Sequence, residues 1–192
     1  MKNWKYIWLA VILFPLVGMV SSCSEDNTAQ EDEFADWQKK NEAVIEQWAA
    51  NPAYRKILTY TKNADMPGLK NTDYIYVEVL EEGSGTETPF YTDTCRVAYR
   101  GHYIPTTSYP EGLVFDQSYV GDFKWDRAAT ATGTSWVDGF ATALQHMHVG
   151  DHWRVRVPYT LGYGESDYNS IPGYSNLVFE VALYDYWHPK KK

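Results

Sequence analysis

Three histidines in the second half of the chain have a spacing that suggests chemistry. His146, His148 and His152 form the pattern H-x-H-x3-H, and three converging imidazoles would hold a transition metal. They straddle the end of a predicted helix and a Val149-Gly150 turn, where we do not expect their rings to converge. The sequence therefore predicts no metal and no cofactor, with metal handling kept as an alternative that a zinc-dependent melting shift would reveal.

Other catalytic patterns are missing from the sequence. It has no G-x-S-x-G elbow of a hydrolase and no Gly-Lys-Ser or Gly-Lys-Thr of a phosphate loop. Glu81 and Glu82 are adjacent on a predicted strand, so they point to opposite faces and cannot form a glycosidase pair.

A net charge of −8 argues against binding of nucleic acid through a basic surface.

The elements that would position a site follow from the period of the apolar residues. Apolar residues at helical spacing predict a helix over Phe34–Asn51. From Thr72 onward apolar and polar residues alternate, which is the pattern of a strand. Four strands are predicted, at Tyr74–Val79, Arg96–Gly101, Trp153–Val157 and Leu177–Leu183. One further helix is predicted at Asp138–Met147. The predicted fold class is α+β, an antiparallel sheet with one short α-helix, preceded by a helical extension at residues 34–71.

Seven short motifs follow one another along this body. They are VLEEGSG at 79–85, VAYRG at 97–101, VFDQS at 114–118, WVDGF at 136–140, MHVGD at 147–151, LGYG at 161–164 and LVFEV at 177–181. Their shared order across residues 74–186 resembles that of FKBP-type peptidyl-prolyl cis-trans isomerases. The resemblance implies a bent antiparallel sheet wrapped around a short helix, with the isomerase domain at residues 72–188.

The resemblance also implies the site, residue by residue. Tyr163 matches the family's hydroxyl donor to a substrate carbonyl, and Asp116 matches the carboxylate beside the polar edge of the bound imide. The substrate-binding positions that it implies are Tyr99, Phe115, Trp136, Val137, Phe140, Ile171 and Phe179. An apolar aromatic pocket of this kind would favour the twisted imide of an X–Pro bond.

This sequence departs from the family pattern at three places. Phe140 stands where the family has a Trp at the pocket floor, and Trp136 stands where it has a Val. The stretch Ala128–Ser135 lacks an aromatic wall residue, with Phe123 and Trp125 upstream as the available substitutes. We predict an active isomerase, and the sequence leaves open whether the altered wall at Ala128–Ser135 lowers its activity. The alternative is an FKBP-fold binding or chaperone module of the cell envelope that is catalytically weak or inactive.

The N-terminus has the pattern of a targeting segment. Lys2 and Lys5 precede an apolar run at residues 7–20, which is shorter than a membrane span. The small residues before Cys23 resemble the lipobox of bacterial lipoproteins, so we expect a signal peptide at 1–22 and a lipid on Cys23. The acidic segment at 23–33 is predicted as a solvated tether. Its Ser-Glu-Asp run directly after Cys23 resembles the surface-export signal of some Bacteroidota lipoproteins, and a plain spacer is the alternative.

These patterns also predict partners and location. We expect proline-containing polypeptide clients, a membrane contact through the lipid on Cys23, no nucleic acid, and a monomer. The expected location is the outer membrane, facing the periplasm or the cell surface. With Cys23 lipidated, Cys95 has no partner within the chain, and we expect a buried thiol that takes no part in chemistry.

Overall fold

The computed structural model describes residues 34–118, 125–126 and 128–189. The predicted signal peptide at 1–22, the lipidation site Cys23, the acidic tether and Phe123 lie outside the described residues.

Seven strands form one antiparallel sheet. They are β1 Arg55–Leu58, β2 Tyr74–Glu81, β3 Thr94–Tyr103, β4 Val114–Gln117, β5 Ala129–Thr132, β6 His152–Val157 and β7 Leu177–Trp187. The neighbours run β1-β2-β6-β7-β3-β4, and β5 also pairs with β3. The four predicted strands are the long central ones, whose alternating side chains are buried on one face. The structure confirms the α+β class.

The segment at 34–71, predicted as a helical extension, also contributes a strand. Within it, β1 pairs antiparallel with β2, placing Arg55 opposite Val77 and Leu58 opposite Tyr74. The extension thus completes one edge of the sheet. The edge strands β1, β4 and β5 have four residues each, which is too short for a period of two to be recognised.

The short helix packs tightly on one face of the sheet. This helix is α2, Asp138–Leu144, and a glycine near its start allows the approach. A Cβ built on Gly139 would lie 2.3 Å from Cγ1 of Val157 on β6, so any larger residue would push helix and sheet apart. Phe140, on the next position of the helix, is fully buried.

The N-terminal helix docks on its own domain, as predicted. This helix is α1, Trp37–Ala50. Its Trp48 packs on Tyr76 of β2 with ring centroids 6.1 Å apart, and Tyr76 points away from the face that carries Ile75 and Val77 because strand side chains alternate. The two helices therefore pack against opposite faces of β2. Neither helix of the described chain combines the length and the apolar content that crossing a membrane requires.

Candidate functional site

An aromatic cluster occupies the sheet face that carries α2. Tyr99 of β3, Phe140 of α2 and Phe179 of β7 meet edge to face, with centroids 5.6 Å apart for Tyr99 and Phe140 and 4.9 Å for Phe140 and Phe179. Phe115 of β4 joins them at 5.6 Å from Phe179. Four of the residues predicted for the pocket are thus brought together by three strands and one helix.

A glycine on β3 makes room for two of these rings. A Cβ built on Gly101 would lie 2.7 Å from Cε1 of Phe179 and 2.8 Å from Cζ of Phe115. These distances are shorter than side chains tolerate, and both rings are held by neighbours. The glycine of the VAYRG motif is therefore required by the packing of the cluster.

A cavity of about 260 Å³ opens at the edge of this cluster. It is lined by Asp116, Ser135, Trp136, Val137, Tyr163, Tyr168 and Phe179. The cavity combines aromatic walls with one carboxylate and the hydroxyl groups of Tyr163, Tyr168 and Ser135, which suits a small apolar ring flanked by polar amide groups.

Trp136 provides the aromatic surface that the sequence assigned to Phe140. The two rings stack with centroids 4.5 Å apart and planes 29° apart. Phe140 is 0% exposed, whereas Trp136 lines the cavity. The bulk of Trp136 therefore fills the floor and is supported from behind by Phe140. We expect the ring sizes at these two positions to compensate for each other.

The Asp116 carboxylate is fixed by hydrogen bonds on both of its oxygens. The Tyr99 hydroxyl donates to Oδ2 at 2.8 Å, and the backbone N–H of Gln117 donates to Oδ1 at 2.8 Å. Burial raises the pKa of Tyr99, and its hydrogen bond to Asp116 raises this pKa further. The phenol therefore remains a donor, and the carboxylate is held at the cavity in one orientation.

Tyr163 lines the same cavity as Trp136 and Asp116. Its ring meets Phe115 edge to face at 6.4 Å. Burial raises the pKa of Tyr163, and the negative charge of Asp116 contributes to the same shift. The hydroxyl group consequently stays protonated and able to donate at neutral pH.

Tyr168 is a cavity residue that the sequence analysis missed. Its ring stacks on Tyr163 with centroids 4.5 Å apart and planes 10° apart, and it is 51% exposed. It lies in an irregular loop rich in Gly, Ser, Asp and Asn, where no periodic pattern indicates which side chain faces a site.

Ile171, which was predicted to contact the substrate, does not line the cavity. Its side chain is buried with the hydrophobic core, at 6% exposure. Its backbone pairs with that of Tyr168 through two hydrogen bonds of 2.9 Å. Among the described residues of this loop, Tyr163 and Tyr168 line the cavity, and Ile171 anchors the loop beneath them.

The stretch that lacks the family's aromatic wall forms an edge strand and one turn of 3-10 helix. β5 pairs with β3, and Gly133–Ser135 then leads to the cavity at Ser135. Trp125 does not replace the missing ring, since it packs on His152 with centroids 4.2 Å apart. The ring of Tyr168 at the cavity rim supplies aromatic surface from another loop.

The three histidines have separate neighbours. Nδ1 of His146 lies 2.9 Å from the carbonyl oxygen of Thr142, while His148 and His152 lie 3.6 Å and 3.1 Å from Asp151 and Glu180. Within the described part of the chain, no three His, Cys, Asp or Glu side chains form a group that could hold a metal ion.

A larger groove of about 820 Å³ lies on the other face of the sheet, between α1 and the β3–β4 connection. Two of its lining arginines form ion pairs with one carboxylate, Arg156 at 2.9 Å and Arg154 at 3.3 Å from Glu78. The aromatic cluster does not line this groove.

A family model described as FKBP-type peptidyl-prolyl cis-trans isomerase matches residues 85–184. The chain belongs to this family. The match covers the cavity residues and the strands that carry them, and it confirms the family and the enzyme class inferred from the motifs.

Three curated relatives agree with this assignment. The macrophage infectivity potentiator of Trypanosoma cruzi is 28% identical over 177 residues, covering 91% of this chain and 78% of that protein. The FKBP-type 22 kDa isomerase of Escherichia coli and the isomerase Mip of Coxiella burnetii are each 34% identical over 64% of this chain. This chain spans 55% and 50% of those two proteins, about half of their length.

Solved structures support the fold. A peptidyl-prolyl cis-trans isomerase of Pseudomonas syringae superposes with a TM-score of 0.59 at 24% identity, covering 80% of this chain and 95% of that one. FkpA of Escherichia coli gives the same TM-score at 25% identity, covering 83% and 63%. The predicted sheet wrapped on a short helix is confirmed by this similarity.

Proposed function

We propose that this chain isomerises X–Pro bonds in exported client polypeptides, using the cavity between Trp136, Phe179 and Tyr163 as the proline pocket. The single observation that carries the proposal is the cavity itself, in which an aromatic floor meets a fixed carboxylate and a protonated phenol. Family membership agrees with it.

The physical basis is the change in polarity during rotation about the imide bond. Rotation faces a barrier of about 18–20 kcal/mol because the C–N bond has partial double-bond character. Conjugation is lost in the twisted form, so the imide becomes less polar than in the planar ground state. Transfer from water into an apolar cavity therefore costs the planar form more, and the barrier is lowered.

The polar groups would act by orientation. The Tyr163 hydroxyl would donate to a carbonyl oxygen of the substrate, and the carboxylate of Asp116 would interact with the polar edge of the imide. If each contributes one typical net hydrogen bond of about 0.5–1.5 kcal/mol, the gain is several-fold for each group. Most of the acceleration then comes from shape and desolvation.

The test is the cis-to-trans rate of a short X–Pro peptide with increasing amounts of the fragment 24–192, which retains both helices and the whole sheet. Circular dichroism establishes that the fragment is folded. A rate that rises linearly with protein concentration supports the proposal. A flat rate from a folded fragment contradicts it and favours a binding module that retains the fold.

We further propose that the mature chain is a lipoprotein of the outer membrane, of Bacteroidota type, attached through Cys23. The support is the charged start, the short apolar run, the small residues before Cys23 and the acidic segment after it. Expressed in a bacterial host, the full chain should partition into the detergent phase of Triton X-114. Cys23→Ala should move it to the aqueous phase while Cys95→Ala should not, and identical partitioning of all three would contradict the proposal.

We also propose that the domain is a monomer. Trp37, Ile45 and Trp48 of α1 are buried against their own domain. These apolar side chains are therefore not exposed for contact with a second copy of the chain. Sedimentation of the 24–192 fragment should give the mass of one chain, and a dimer mass would overturn this.

A further inference from the structure

The loop that carries Tyr163 and Tyr168 is held at its base by α1. We call residues 162–176 the active-site loop, because it begins beside Tyr163 and ends where β7 leads to Phe179. Asn176, its last residue, donates two hydrogen bonds to Asn41 in the middle of α1. The backbone N–H of Asn176 donates to Oδ1 of Asn41 at 2.8 Å, and Nδ2 of Asn176 donates to the Asn41 carbonyl at 2.7 Å.

The same amide pair also reaches the other end of the loop. Oδ1 of Asn176 accepts a 2.9 Å hydrogen bond from the N–H of Tyr159, four residues before Tyr163. Asn41 and Asn176 are both 0% exposed. Buried polar groups without partners are costly, so each of these amides has one favourable arrangement. The pair thereby fixes the separation of the two chain segments that enter and leave the loop.

A second contact joins the first turn of α1 to the loop. Nε1 of Trp37 donates to Oγ of Ser175 at 2.8 Å, and that hydroxyl donates to the carbonyl of Pro172 at 2.6 Å. The Trp37 ring also meets Tyr103 at 6.3 Å, and the Tyr103 hydroxyl donates to the carbonyl of Ser170 at 3.1 Å.

We propose that α1 is a working part of the isomerase, with Asn41 and Trp37 as positioning residues that hold the active-site loop in its catalytic geometry. This inference rests on the proposed function of the cavity. Neither side chain lines the cavity. They act through Asn176 and Ser175 on a loop whose irregular backbone would otherwise be tied down mainly by its own hydrogen bonds.

The inference predicts a loss of activity that exceeds the loss of stability. Asn41→Ala leaves the backbone N–H of Asn176 unpaired, so the loop moves and the Tyr163 hydroxyl is misplaced. Small displacements of a catalytic group have large effects on rate, and we expect kcat/KM to fall about 10-fold. Trp37→Phe retains an aromatic ring against Tyr103 but removes the donor to Ser175, and we expect a smaller fall in the same direction.

The matched control is Trp48→Phe, at the opposite end of the same helix, where the ring packs on Tyr76. Each variant is compared with the wild-type 24–192 fragment at an equal interval below its own melting temperature. Amide hydrogen exchange is followed at Tyr168, Ile171 and Tyr174, whose N–H groups make hydrogen bonds within the loop. Exchange in β6 and β7 serves as the internal reference.

The expected result is faster exchange in the loop and lower kcat/KM for Asn41→Ala and Trp37→Phe, with both quantities unchanged for Trp48→Phe. Equal effects from all three variants, or unchanged loop exchange in the first two, would overturn the inference. If Asn41→Ala does not fold, Trp37→Phe decides by the same criteria. An inactive wild-type fragment would refute the proposed function, and the exchange data would then decide separately whether α1 holds the loop.

Discussion

The hydroxyl of Tyr99 donates a 2.8 Å hydrogen bond to Oδ2 of Asp116, joining the centre of β3 to the edge strand β4. The ring of Tyr99 packs in the aromatic cluster, while the carboxylate of Asp116 lines the cavity. A single hydrogen bond therefore connects the packing of the core to the orientation of a charged group at the candidate site.

Removing that hydroxyl should reduce catalysis without unfolding the domain. In Tyr99→Phe, Asp116 loses the donor to Oδ2 while the N–H of Gln117 still binds Oδ1. The carboxylate is then less firmly oriented, so we expect kcat/KM to fall about 2- to 10-fold. The control is Tyr184→Phe, which loses a hydroxyl that donates to the backbone of Trp125 on the other side of the sheet. The measurement is the catalysed cis-to-trans rate beside the melting temperature. Equal activities of the two variants would show that this hydrogen bond is only structural.

The stacked pair of Trp136 and Phe140 should behave as one unit. Trp136→Val removes the ring that covers Phe140, and such loss of buried volume costs up to about 3 kcal/mol. Adding Phe140→Trp puts a large ring back beneath the cavity, and this double variant restores the ring sizes of the family pattern. We expect it to recover both stability and activity lost in the single variant. Denaturant unfolding and the catalysed rate test this, and strictly additive losses would refute the compensation.

Tyr168 should determine which residues are accepted next to proline. Its exposed ring lies flat on Tyr163 at the cavity rim, where it offers an apolar face to a neighbouring side chain. Tyr168→Ala should lower kcat/KM for Leu-Pro and Phe-Pro peptides by about 3- to 10-fold and affect Glu-Pro peptides less. Tyr109→Ala is the control, since Tyr109 is an exposed tyrosine outside the cavity lining. A uniform loss across the peptide series would contradict a role in selectivity.

Cys95 should be unreactive until the domain unfolds. Its side chain is buried in β3 at 2% exposure, and burial raises the pKa of the thiol to about 11. The thiolate fraction at pH 8 is then about one in a thousand, and it rises about tenfold with each unit of pH. Labelling with a thiol reagent should be slow at pH 8 in buffer and fast in urea. Rapid labelling of the folded 24–192 fragment would contradict this burial.

The sheet was largely predictable because apolar residues alternate with polar ones along its long strands, and the helices because their apolar residues recur at helical spacing. The central strands and both helices were predicted in this way. The short edge strands were not, because four residues are too few for a period. The residues on β3, β4, β7 and α2 that form the aromatic cluster came from the ordered motifs of the family resemblance.

The residues missed by the sequence analysis belong to an irregular loop and to long-range polar contacts. Tyr168 lies where the backbone conformation depends on tertiary hydrogen bonds, and the stacking of Trp136 on Phe140 depends on how two large rings share one space. The Asn41–Asn176 pair joins residues 135 positions apart in the sequence. An asparagine on an amphipathic helix has no pattern that reveals such a partner.

The most direct measurement compares the wild-type 24–192 fragment with Tyr163→Phe in the isomerisation of a short X–Pro peptide. We propose that this cavity catalyses the reaction and that the Tyr163 hydroxyl assists it. We predict a rate that increases linearly with wild-type protein, a slope about 2- to 10-fold lower for Tyr163→Phe, and similar melting temperatures. A zero slope for a folded wild-type fragment, or identical slopes for the two proteins, would contradict the claim.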